Sequence, residues 1–130
     1  MGIFDLFKKK KPRTTDEKVN QMWELWANGK LKTPCAKLMT YESEVNNGGH
    51  SQYFFNIANT GNLTEEVAAV LSMLPEPLRE NLNRGYAAFT AQKDISDDDN
   101  EELFEECDDV FYEHEQLLID ILYKFAENLT

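Results

Sequence analysis

Residues 97–129 read DDDNEELFEECDDVFYEHEQLLIDILYKFAENL, and this stretch decides the fold class. Leu103, Cys107, Val110, Phe111, His114, Leu117, Leu118, Ile121, Leu122, Phe125 and Leu129 recur at helical spacing. At 100° per residue they fall within an arc of about 140°. The opposite arc collects Glu101, Glu102, Glu105, Glu106, Asp108, Asp109, Glu113, Glu115 and Asp120. The pattern predicts one long amphipathic helix from about Asp97 to Leu129, with its apolar side in a core and its acidic side in water. His114 lies on the apolar side and is expected to pack there.

The acidic side is unusual in composition. From Asp94 to Asp120 there are 13 acidic residues and no Lys or Arg. Pairs such as Glu101/Glu105, Glu102/Glu106 and Asp109/Glu113 set like charges at i,i+4, each destabilising by ~0.2–0.5 kcal/mol. The helix dipole offsets this for Asp97, Asp98 and Asp99, and only over the first turn. Nine carboxylates between Asp97 and Asp109 span about 20 Å of helix, roughly one charge per 2.2 Å, against ~1.7 Å in duplex DNA. The candidate partner-binding residues are therefore Asp97, Asp98, Asp99, Glu101, Glu102, Glu105, Glu106, Asp108, Asp109 and Glu113. The competing explanation is a face that merely hydrates.

Working upstream, the rest of the chain also reads as helices. Thr14-Thr15-Asp16-Glu17 has the form of a capping box, followed by Val19, Met22, Trp23 and Trp26 at helical spacing and a stop at Gly29. Thr33-Pro34 opens a second helix carrying Leu38, Tyr41 and Val45, which ends at Asn46-Asn47-Gly48-Gly49. A short third runs from Ser51 to Ala58, a fourth from Thr64 to Leu74, and a fifth uses Leu78, Leu82, Tyr86 and Phe89. No segment alternates with period two. The expected fold is all-α: a single-domain bundle of five or six helices with a long acidic C-terminal helix.

Length and charge bound the function. At 130 residues the chain has room for one core, and 42% hydrophobic residues suffice to fill it. Residues 1–13 hold Lys8, Lys9, Lys10, Lys11 and Arg13 against Asp5, a local charge of +4, and read as a flexible basic tail ahead of a folded domain at 14–130. The other 117 residues then carry −15 of the formal −11. Such a body repels nucleic acid and attracts basic surfaces. Ile3, Phe4 and Phe7 before the lysines suggest weak membrane contact as a second reading of the tail, less favoured than disorder. Cys35 and Cys107 form no paired framework, and no apolar run reaches ~20 residues. These features predict a cytoplasmic protein.

The most distinctive segment is Glu44-Val45-Asn46-Asn47-Gly48-Gly49-His50-Ser51-Gln52-Tyr53-Phe54-Phe55-Asn56. Physically it is a helix end, a tight Gly-Gly corner and an aromatic-rich helix start, with amides placed to satisfy exposed backbone groups. It resembles the signature of the bacterial DNA-mimic protein 19 family. Glu44, Asn46, Asn47, Gly48, Gly49, Gln52, Phe54, Phe55 and Asn56 match, while His50 stands where an aromatic is more usual. The resemblance implies an all-α fold over roughly residues 16–128. For the member that names the family, it also implies an acidic surface occupying the DNA site of a transcriptional regulator. These motif residues read as mainly structural.

Catalytic patterns in the chain are weak. His50 beside Glu42 and Glu44 could form an acid–base or metal site, but the chain has no His-Glu-x-x-His, phosphate loop or nucleophile elbow. Asp97, Asp99 and Glu101 begin like a calcium loop, yet Glu102 stands where glycine is needed. The sequence thus predicts a non-enzymatic acidic protein without metal or cofactor, binding a basic protein partner such as a DNA-binding transcription factor and not nucleic acid itself. An immunity-type or scaffold protein neutralising a basic partner is the second reading. An enzyme or ligand-binding protein built on the Asn-Asn-Gly-Gly corner is the third.

Overall fold

The computed structural model describes residues 14–31, 34–92 and 100–128. Five helices follow in chain order: α1 (Thr15–Ala27), α2 (Cys35–Thr60), α3 (Leu63–Leu71), α4 (Leu78–Ala91) and α5 (Glu101–Glu127). There is no strand among the described residues. The all-α expectation holds. None of the described helices is long and apolar enough to cross a membrane. The tail at residues 1–13, Thr33, Asp97, Asp98, Asp99 and Leu129 lie outside the described residues.

Local chemistry sets most of the boundaries. Thr14 caps α1 as expected, its Oγ1 accepting from the Glu17 N–H at 3.2 Å, and Gly29 follows the helix at φ +68°. Asn62 caps α3 through Oδ1, which accepts from the Glu65 N–H at 3.1 Å, so that helix starts just before the expected Thr64. It stops at Leu71, ahead of the expected Leu74, and a turn through Pro75 and Pro77 leads into α4. The second and third expected helices are the two arms of α2, joined through non-helical Gly48 and Gly49.

α5 is the spine, packed against α1, α2 and α4, while α3 closes the far side over α2 and α4. Its buried residues are Phe104, Cys107, Phe111, Leu118, Leu122 and Ala126. Compared with the face expected from hydrophobicity, the inward direction is turned by roughly half a residue step. Phe104 and Ala126 come in, Leu117 is left 38% exposed, and His114 is only partly covered. The cause is polar. Asp108, Tyr112 and Glu115, at i, i+4 and i+7, are drawn onto α2 by hydrogen bonds and pull the helix round with them.

Phe54 is the hub of the aromatic core. Its ring lies 5.3–6.3 Å from those of His50, Tyr53, Tyr86, Phe89 and Phe104. Gly85 on α4 makes room for it, since a Cβ there would stand 3.2 Å from Phe54 Cε2. Asn81 of α4 fastens the same region, with Nδ2 donating to the Cys107 carbonyl at 2.8 Å. Trp23 and Trp26 pack edge-on at 5.4 Å against the core margin. Phe54 is fully buried whereas Phe55 beside it is 44% exposed. Phe54→Ala should therefore cost about 3–5 kcal/mol in urea unfolding, and Phe55→Ala within about 0.5 kcal/mol.

Candidate functional site

A helix interrupted in its middle leaves backbone donors and acceptors without partners. At the α2 corner, α5 supplies them. Asp108 Oδ1 accepts from the His50 backbone N–H at 2.8 Å and so caps the second arm from another helix. Tyr112 Oη donates to the Val45 carbonyl at 3.2 Å on the first arm. Gly49 sits at φ +81°, and a Cβ on it would run into the Asp108 carboxylate. Glycine is needed there twice over, for conformation and for space.

His50 is fully buried within this clasp. Its Nδ1 lies 2.7 Å from Asp108 Oδ1, and its Nε2 lies 2.7 Å from Tyr41 Oη. Burial pushes the Tyr41 phenol well above its ordinary value, with Tyr53, Cys107 and Asp108 adding to the effect. Tyr41 thus keeps its proton, and the two ring nitrogens of His50 are bonded to the Tyr41 phenol on one side and the Asp108 carboxylate on the other. Both ring nitrogens are bonded to protein atoms and the ring has no exposed surface. His50, the residue departing from the motif, fills an aromatic place with a ring that also bonds.

The other motif residues brace the arms. Glu44 Oε2 accepts from Gln52 Nε2 at 3.0 Å and from Asn56 Nδ2 at 2.8 Å, tying the first arm to the second. Gly48 lies against the Gln52 amide, which a Cβ would overlap. Asn46 Nδ2 reaches the Glu42 carbonyl at 3.0 Å, Glu42 Oε1 at 2.7 Å and Glu115 Oε2 at 2.8 Å. Asn47 and Phe55 face outward. Clefts lined by Glu17, Gln21 and Leu25, by Leu71, Arg79 and Asn83, or by Lys37, Thr40 and Glu66 share no residue with this corner. No group of three or more His, Cys, Asp or Glu side chains among the described residues is arranged to hold a metal.

The acidic residues from Glu101 to Glu115 divide into three groups. Glu101, Glu102, Glu105, Asp109 and Glu113 are exposed and form no ion pair among the described residues. Glu106 is exposed too, but Arg84 Nη2 stands 2.6 Å from its Oε2. Asp108, grouped by sequence with the outward carboxylates, faces the corner and is bonded inside the fold to His50. Glu115, assigned to the same acidic arc, likewise turns to Asn46. Sequence reading missed Tyr41, Tyr112 and Arg84.

The clasp can be tested against the next residue along. Asp108→Ala should destabilise the protein by about 2–3 kcal/mol in urea unfolding, because it strands the buried donors of His50. Asp109→Ala should stay within about 0.5 kcal/mol. Equal effects would show that Asp108 holds nothing.

Searches of the curated proteins and of the solved structures each returned no match. The family described as DMP19-like protein matches residues 36–129, from the first arm of α2 to the end of α5, and includes both partners of the clasp. That span covers well over half of the chain. The chain belongs to the DMP19-like protein family.

Proposed function

We propose that this protein is an acidic, non-enzymatic binding domain whose α5 face occupies the basic site of a partner, in the manner of a DNA mimic on a DNA-binding regulator. One observation carries this reading. Glu101, Glu102, Glu105, Asp109 and Glu113 are exposed, lie within an arc of about 120° and have no cationic partner among the described residues. Charges left unpaired along one face repel one another in the free protein, and a cationic partner relieves that repulsion.

Between Glu101 and Glu113, all of them described residues, Asp108 is used internally and Glu106 is paired with Arg84, so five exposed carboxylates without a cationic partner remain over about 18 Å, or roughly one per 4 Å. That is near the ~3.4 Å phosphate spacing along one DNA strand, not the density of a duplex. The face suits a basic groove that reads a single backbone edge. The motif corner contributes indirectly, by fixing the rotation of α5 and hence which carboxylates face out.

Capture from native lysate tests both levels of the reading. Reversing Glu101, Glu102, Glu105, Asp109 and Glu113 to Lys should weaken capture at least tenfold with helicity unchanged, and added salt should weaken the wild type steeply. Retained capture by the reversed protein rejects the face. Duplex DNA should compete for the captured partner; a partner indifferent to DNA favours an immunity-type protein instead.

A further inference from the structure

Glu42 and Glu115 meet at a place that neither the brace nor the exposed face explains. Glu42 lies on the first arm of α2, one turn before Asn46, and Glu115 lies on α5, just beyond Tyr112. Their carboxylates approach the same atom, Asn46 Nδ2, at 2.7 and 2.8 Å, so their oxygens are no further apart than those two bonds laid end to end. A third acceptor, the Glu42 carbonyl, reaches that nitrogen at 3.0 Å. An amide nitrogen has two hydrogens. Those two hydrogens can serve one oxygen of each carboxylate, which leaves the pair still without a counter-charge.

The neighbours do not supply it. On α5, Asp108 accepts from His50 and Tyr112 Oη donates to Val45. On α2, His50 is committed to Asp108 and Tyr41. No Lys or Arg among the described residues forms an ion pair with Glu42 or Glu115. Two half-buried carboxylates thus face each other across a helix junction without a counter-ion.

We propose that Glu42 and Glu115 share one proton and form a pH-sensitive latch between the first arm of α2 and α5, closed while the proton is held and loosened when it leaves. Burial and the Glu115 carboxyl push Glu42 up to about 7, against an ordinary value of 4.5. The folded state therefore binds a proton that the unfolded chain has released. The stabilisation is complete below about 4.5 and is lost as pH rises through about 7. Above that, two like charges repel across the same junction that Asp108 and Tyr112 clasp. The latch does not depend on α5 having a partner.

Glu42→Gln is the informative variant, because its carbonyl can still accept from Asn46 and its N–H replaces the shared proton at every pH. Urea unfolding of both proteins at pH 5.5, 7 and 8.5 should show the wild type losing about tenfold in its folding equilibrium constant relative to the variant, after allowance for solvent at a half-exposed pair. Parallel profiles would overturn the latch. Glu115→Gln supplies the N–H from the other side and serves in the same comparison should the first variant not fold. Carbon-13 titration of the wild-type Glu42 and Glu115 carboxyls gives an independent answer. A shared step near 7 supports the latch, and two separate steps in the ordinary glutamate range overturn it.

Discussion

Breaking a helix inside a protein exposes backbone groups that must find partners, and the Gly48–Gly49 corner of α2 depends on α5 to provide them. Asp108 takes the first free N–H of the second arm and Tyr112 serves a carbonyl of the first. An unpaired buried donor costs ~1–3 kcal/mol, a large share of the few kcal/mol that hold a small domain together. The corner also directs His50 and Phe54 inward, and through them the aromatic core. Packing, helix rotation and surface charge follow from this one junction.

The same residue type has three roles along α5, and environment alone separates them. Asp108 is bonded to a buried ring and a backbone amide, Glu115 shares an amide with Glu42, and Asp109 is exposed. Because a helix turns by 100° per residue, Asp108 and Asp109 point in different directions although they are chain neighbours. Fixing one fixes the other. The clasp that holds the core therefore also sets which carboxylates a basic partner would meet, and so couples the family motif to a surface that contains none of its residues.

Much of the fold was legible beforehand, for identifiable reasons. Local signals were reliable: Thr14 before Glu17, glycine after α1, and the apolar period that marks α5 as a helix. The candidate site was only half legible. The sequence reading had the corner amides serving backbone groups, whereas Gln52 and Asn56 bond the Glu44 side chain; Asp108 was grouped with its solvated neighbours because hydropathy gives every carboxylate one value. Its contact with His50 spans 58 residues, and no local pattern encodes a partner so distant. The turn of α5 followed from that omission, since a period measures spacing along a face and not which edge of it a neighbour will bond.

Amide hydrogen exchange at His50 tests the central claim most directly, because that N–H is the donor Asp108 holds. If the clasp supports the fold, this amide exchanges only through opening that costs nearly as much as global unfolding, on a par with amides in the buried middle of α5. Exchange through a cheap local opening, as at the solvated ends of the helices, would contradict the account and leave the corner a passive turn.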